Sequence, residues 1–283
     1  MSIQIEDNAT DVLRKSMLGR GISSEMISEK TGISLSEIRR LRKHRASGET
    51  RSKIAVTLGL SPEKLELLDL KFDSAVSGNF TEEAKFPRNF RREIMFCGNK
   101  VLPKMTSNAY VVTDETCGNA LVVDCGKDAG TLVEVLRSRA VRHVDLCITH
   151  NHFDHAGGIN ELRDAFPSMC IYNFNTLFLG TAGNTVDFDA GNFALRAISV
   201  PGHTTDSVVY LWKNPSTGFA PIAFTGDTLF LGSVGGCLPG DLEQSLGNIK
   251  ARLLDSLSEE TVVAPGHGPA TGIGTEILEN PFF

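Results

Sequence analysis

The apolar residues of this chain change their spacing about a third of the way along. In residues 1–72 they recur every three to five positions, as Leu13 and Met17, then Ile22, Met26 and Ile27, then Ile38 and Leu41, then Ile54 and Leu58, then Leu65 and Leu68. That is the period of amphipathic helices. Breaks fall at Gly19 to Gly21, Thr31-Gly32, Ser47-Gly48 and Gly59 to Pro62, so four or five short helices are expected. From Ile94 onward, short apolar runs alternate with helical stretches. Strands are expected over residues 109–113, 120–124, 144–149, 170–173, 193–200, 207–212, 222–226 and 261–264. Helices are expected over 129–139 and 242–257, with a third that starts between Ala156 and Ile159 and ends at Phe166. Residues 73–92 keep neither period: their Ser, Gly, Asn and Pro mark a linker, and Phe80, Phe86 and Phe90 imply that it docks on a neighbouring domain. The pattern therefore divides the chain into an all-α domain (1–72), a linker (73–92) and an α/β or α+β domain (93–283).

The candidate chemistry sits where strands give way to turns. Residues 149–158 read Thr-His-Asn-His-Phe-Asp-His-Ala-Gly-Gly, which places His150, His152, Asp154 and His155 within six positions although only 7 of the 283 residues are histidine. A turn after a buried strand can aim several side chains at one point, as imidazole and carboxylate ligands of a zinc-like ion require. Three more strands end in the order Gly, then a possible ligand: Pro201-Gly202-His203, Thr225-Gly226-Asp227 and Pro265-Gly266-His267. Glycine lacks a Cβ and tolerates unusual backbone angles where the chain must turn beside an ion. Asp124, which closes the run Leu121 to Asp124, reads either as a turn former before Gly126 or as a carboxylate that orients a ligand loop.

These motifs resemble the metallo-β-lactamase superfamily, and within it the glyoxalase II group of thioester hydrolases, over residues 93–283. The stretches from Phe224 to Gly235, Leu238 to Gly240, Val263 to Thr271 and Asn280 to Phe283 carry the likeness most specifically. The resemblance implies a four-layer αββα sandwich, an α+β fold, with the site at the edge between two sheets. It implies that His150, His152 and His203 hold one divalent metal ion, that Asp154, His155 and His267 hold a second, and that Asp227 bridges them. Zinc is the expected metal, with iron and manganese as alternatives. Asp154 and Asp227 are then the catalytic carboxylates, and a hydroxide shared by the two ions attacks the acyl carbon of a thioester such as an acylglutathione. Asp124 takes the supporting role. The loop from Gly232 to Pro239 carries Gly236 where the family usually has Arg, which removes a natural carboxylate anchor. Two other functions remain open: a persulfide dioxygenase with one iron on His150, His203 and Asp227, and a transcription regulator whose metal domain senses a metabolite.

Charge bears on that last alternative. Residues 1–72 hold 13 basic against 10 acidic residues, a net of +3, whereas the remainder holds 15 against 24, a net of −9. The basic excess gathers in residues 39–45, Arg-Arg-Leu-Arg-Lys-His-Arg. The helix spacing around it resembles the helix-turn-helix domain of phage-repressor-like regulators. Residues 23–30 would be the first helix, Gly32 the turn, and residues 34–44 the recognition helix, with Arg39, Arg40 and Arg42 on DNA phosphates. Ile27 stands where that motif has a small residue, so the competing reading is a packing or homodimerisation module. No apolar run reaches the 18 to 20 or so residues that span a bilayer, and the first residues lack the form of a secretory signal, so a cytoplasmic protein is expected. The six cysteines contain no Cys-x-x-Cys pair, and Cys125 and Cys147 read as buried core thiols.

Overall fold

The computed structural model describes residues 4–43, 46–76, 90–96, 106–114, 116–213 and 219–283. The first part of the chain is helical: α1 (Ala9–Gly19), α2 (Ser24–Thr31), α3 (Leu35–Arg39), α4 (Gly48–Thr57) and α5 (Pro62–Val76). Local signals start these helices. Asn8 caps α1 in a capping box with Asp11, and the hydroxyls of Ser23, Ser34 and Ser47 accept N–H bonds at the starts of α2, α3 and α4. Gly32 ends α2 in the left-handed conformation. The helix expected over residues 34–44 is shorter: α3 stops at Arg39 and a 3₁₀ turn (Arg40–Lys43) follows, while His44 lies outside the described residues. A 3₁₀ turn superposes positions three apart, and Ile38 and Leu41 both enter the core in this way. Helix α5 runs on to Val76, through the start of the expected linker, because Phe72 and Ala75 continue the buried stripe of Leu65 and Leu68. Phe80 and Phe86 of that linker lie outside the described residues.

The rest is two facing sheets. In the first, β1 (Phe90–Phe96), β2 (Thr106–Asp114), β3 (Asn119–Val123), β4 (His143–Cys147) and β5 (Cys170–Tyr172) lie side by side in that order, with β3, β4 and β5 parallel. Helices α6 (Gly130–Ser138), α7 (Phe153–Ala156) and α8 (Ile159–Ala165) belong to its crossovers. After α9 (Phe174–Phe178) come β6 (Thr185–Ala190), β7 (Phe193–Ser199), β8 (Val208–Trp212) and β9 (Ile222–Gly226), then the hairpin β10 (Leu229–Phe230) and β11 (Ser233–Val234). Helix α10 (Leu242–Ile249) is followed by one π turn (Lys250–Leu254), then β12 (Val262–Pro265), β13 (Thr271–Gly272) and α11 (Ile273–Glu279). The second sheet has the order β13-β12-β9-β8-β7-β6.

Side-chain parity makes the four layers. Tyr110, Val112, Leu121 and Val123 point inward to meet Leu195, Tyr210, Trp212 and Phe224 of the second sheet. Their neighbours Val111, Ala120 and Val122 point outward onto Leu132, Leu136 and Leu162 of α6 and α8. On the far side, Val209, Leu211 and Val263 pack on Leu242, Leu246 and Ile273 of α10 and α11. This is the expected αββα sandwich. Both faces of each sheet are covered, which is why the central strands read as continuous apolar runs instead of alternating patterns. β6 was not expected from the pattern because it is a half-exposed edge strand whose Thr185, Asp187 and Asp189 face out. Cys125 and Cys147 are fully buried, and burial pushes the Cys125 thiol up to about 12. No described helix is long and apolar enough to cross a membrane.

The helical module shares its core with the sandwich. Leu231 belongs to the same buried cluster as Val12, Leu13, Ile54 and Leu68, and Phe282 packs against it. The fit is close: a Cβ on Gly19 of α1 would stand 2.9 Å from the Leu242 Cβ, and one on Gly232 would stand 2.6 Å from Leu68 Cδ1.

Candidate metal centre

Four loops at the ends of strands converge at one edge of the sandwich. The longest follows β4 and carries His150 and His152 in extended backbone, with Asp154 and His155 in the single turn of α7. The helix expected to end at Phe166 is α8, which starts at Ile159, and Gly157 and Gly158 separate it from the short turn α7. A Cβ on Gly157 would stand 2.5 Å from the Lys127 carbonyl oxygen, and one on Gly158 would stand 2.8 Å from that of Cys125. The two glycines thus let the ligand turn press against the loop after β3. The other loops bring His203 from between β7 and β8, Asp227 after β9 and His267 after β12. Gly266 lets the last two meet, since a Cβ there would fall 2.4 Å from Asp227 Oδ1 and 2.7 Å from His155 Cε1.

The residues form two groups. Donor atoms of His150, His152, His203 and Asp227 lie within 4.8 Å of one another, as do those of Asp154, His155 and His267. His152 Nδ1 stands 3.0 Å from His150 Nε2 and 2.9 Å from His203 Nε2. In the second group Asp154 Oδ2 lies 3.7 Å from His155 Nε2 and 3.4 Å from His267 Nε2. Asp227 reaches both groups: Oδ1 is 3.3 Å from His155 Nε2, and Oδ2 is 3.6 Å from His203 Nε2 and 3.5 Å from His267 Nε2.

The outer nitrogens of three imidazoles are held by oxygens. His155 Nδ1 faces Asp124 Oδ2 at 2.7 Å, His150 Nδ1 faces Thr149 Oγ1 at 3.1 Å, and His203 Nδ1 faces the Gly236 carbonyl at 2.7 Å. Thr149 in turn donates its N–H and hydroxyl to Asp124, at 2.8 and 2.9 Å. With Nδ1 protonated, each of these rings turns the Nε2 lone pair inward. Asp124 is therefore the support of the whole loop, and it sits there at φ 58°, in the left-handed region that a non-glycine residue seldom occupies.

These residues fit a pair of divalent ions. Tetrahedral ligands about 2.0 to 2.1 Å from zinc stand about 3.3 Å apart, and the separations above bracket that value. His155 Nε2 and Asp227 Oδ1 are buried without a hydrogen-bond partner among the described residues, as ligand atoms aimed at an ion would be. The charge balance also calls for cations. Burial works against the ionised Asp227, yet His155 and His267 hold its carboxyl well below the usual range. Burial likewise opposes the protonated His155, but Asp227 and Asp124 push it up to about 10. By contrast, burial and then the neighbouring His155 push His150 down to about 2. Divalent ions held here would supply the positive charge that the carboxylates otherwise draw from protonated imidazoles.

All seven expected ligand residues, together with Asp124, meet at this place. The structure adds neighbours that no local signal marks, from the helical module. Glu6 Oε2 lies 4.0 Å from His267 Nδ1, and burial pushes its carboxyl up. Asp7 accepts from Ser233 Oγ at 2.6 Å and from Lys15 Nζ at 2.6 Å, and Lys15 Nζ stands 5.0 Å over the Phe230 ring. The expected DNA contacts are elsewhere. Arg40 pairs with Glu37 at 2.9 Å, Arg39 lines a cleft between α1 and the α2–α3 pair, and the Arg42 side chain lies outside the described residues.

The family described as "Metallo-beta-lactamase superfamily" matches residues 102–168, the stretch that holds Asp124 and the candidate ligands from His150 to His155. A Bacillus subtilis protein described as "Probable metallo-hydrolase YqgX" is 29% identical over 203 residues, which are 62% of this chain and 92% of that protein. A "Hydroxyacylglutathione hydrolase-like protein" of Gallus gallus is 33% identical over 174 residues, 59% of this chain; the match spans only 60% of that relative's length. Among solved structures, the BLEG-1 B3 metallo-β-lactamase superposes with a TM-score of 0.56 at 28% identity, covering 68% of this chain and 99% of that one.

Proposed function

The chain belongs to the metallo-β-lactamase superfamily, and from that premise we propose that it is a two-metal hydrolase acting on a thioester of the acylglutathione type. The observation that carries the reading is the position of Asp227, whose two carboxylate oxygens face the imidazoles of both ligand groups. His150, His152 and His203 would hold one ion, and Asp154, His155 and His267 the other. Two such ions supply a water activated at neutral pH and stabilise the oxyanion formed from the attacked carbonyl. The protein's own contribution is placement. Asp124 fixes His155 and, through Thr149, His150, while the Gly236 carbonyl fixes His203. Because His152 is exposed and His150, His155 and His267 are buried, substrate enters from the His152 side. The thioester choice rests on the likeness to the hydroxyacylglutathione hydrolase-like relative and on the glyoxalase II-like stretches from Phe224 onward.

The test is metal analysis of the purified full chain together with an assay on an acylglutathione. We expect thioester hydrolysis that disappears on chelation and returns with zinc, iron or manganese, and a loss of two ions per chain when the centre is stripped. A single iron at this centre, with oxygen uptake on glutathione persulfide in place of hydrolysis, would make the protein a persulfide dioxygenase.

A further inference from the structure

A second set of donor atoms lies at the opposite end of the first sheet. The C-terminal end of β4 leads to His150; at its N-terminal end His143 and Asp145 stand two residues apart and so share one face. On the parallel edge strand β5, Cys170 is the register partner of Asp145 and adds its side chain there. The ligand atoms of His143, Asp145 and Cys170 lie within 4.8 Å of one another.

One oxygen of the carboxylate at the centre of this group is buried without a hydrogen-bond partner among the described residues. The Asp145 side chain is 1% exposed. Its Oδ1 accepts from the Tyr172 hydroxyl at 3.4 Å, but Oδ2 is buried without a hydrogen-bond partner among the described residues and faces His143 Nε2 at 3.4 Å. The turn between β6 and β7 closes the far side, where a Cβ on Gly191 would fall 2.5 Å from Oδ2. His143 Nδ1 lies 3.5 Å from Ser168 Oγ. In the tautomer whose ring proton goes to that hydroxyl, the Nε2 lone pair faces the carboxylate, which is the arrangement a shared cation requires. A buried carboxylate in that position is costly unless a cation joins it. The exposed Cys170 offers the third donor and leaves a fourth position open to water.

We propose that His143, Asp145 and Cys170 bind one divalent ion of the zinc class, separate from the catalytic pair and clamping the edge strand β5 to β4. One imidazole nitrogen, one carboxylate oxygen and one thiolate suit zinc with a water as fourth ligand, whereas magnesium and calcium take oxygen ligands.

The catalytic ligands are all His and Asp, so a thiolate signal distinguishes the two places. The full chain is stripped with a chelator and titrated with Co²⁺, and the near-ultraviolet thiolate-to-cobalt charge-transfer band is followed. We expect the band in the wild type, its loss in Cys170→Ser, its weakening in His143→Gln and its retention in Cys237→Ser. Zinc content should fall by one ion per chain in Cys170→Ser while hydrolysis stays unchanged. Absence of the band in the wild type, or an undiminished band and zinc content in Cys170→Ser, overturns the proposal. Neither result depends on which substrate the catalytic centre takes.

Discussion

In the sandwich, seven candidate ligand residues on four strand-end loops turn toward one another, whereas in the helical module several basic side chains each turn toward an acid or a carbonyl. Arg40 pairs with Glu37, Lys53 with Glu49 and Arg51 with Asp69. Several reach across to the sandwich: Arg20 to Glu243 at 2.7 Å, Lys71 to Glu279, Lys15 to the Val234 carbonyl at 3.2 Å, and Lys64 to the Phe283 main-chain oxygen at 2.6 Å, beyond the end of α11. Convergence of like groups at the cost of mutual repulsion is the mark of a site built for a ligand. Dispersal into ion pairs is the mark of a surface built to pack. Lys15, Arg20, Lys64 and Lys71 thus serve contacts with the sandwich, as a packing module would use them, while the side chains of residues 42–45 lie outside the described residues.

The largest expected effect breaks the convergent half. Asp227→Ala removes a ligand from both ions, so kcat/KM on an acylglutathione should fall by more than the roughly 10² to 10³ that a single electrostatic contact supplies, with both ions weakened in metal analysis. A variant that keeps its metal and its rate would mean that Asp227 bridges nothing.

Next comes the seam between the halves. Leu68 is 2% exposed and stands against Gly232 as well as within the helical core. Leu68→Ala should cost about 2 to 5 kcal/mol, lowering one shared thermal transition. Two separate transitions, of which only one moves, would show that the halves are independent after all.

A smaller effect is expected behind the ligands. Asp124→Asn keeps the shape but offers His155 Nδ1 and the Thr149 donors a poorer acceptor, and metal affinity should drop roughly 10- to 100-fold. A chelator competition titration reads this directly, and an unchanged affinity would remove Asp124 from the support of the site.

The smallest effect should follow from changing Arg39, Arg40 and Arg42 together to Ala. Hydrolysis should be unaffected, and duplex binding, measured by salt titration, should be absent before and after. If the wild type instead binds duplexes with a log-log salt slope of about −0.9 per phosphate contact, flattened in the variant, the module reads DNA and the comparison above fails.

The residues that converge at the candidate site were legible because their signal is local. His150 to His155 crowd one turn, and His203, Asp227 and His267 each follow a Gly at a strand end, so residue type and backbone freedom mark them without knowledge of what they face. The strands were legible for a similar reason, since burial on both sides leaves unbroken apolar runs such as Leu121 to Val123. Less was visible where tertiary contacts overrule the local pattern. The edge strand β6 is too polar to stand out, and the division between α7 and α8 follows from backbone pressing on Gly157 and Gly158.

Periodicity in the sequence separated an all-α part from an α/β or α+β part, because it decides which faces are buried, and the likeness of the motifs to the metallo-β-lactamase superfamily supplied the four layers and the candidate site. Only the tertiary structure decided which groups meet across long separations: Glu6 beside His267, Lys15 over Phe230, Leu231 within the helical core, and Asp145 beside Cys170. Such meetings leave no periodic trace, for they depend on how whole elements dock, and docking is settled by the summed fit of surfaces and not by any short stretch of chain.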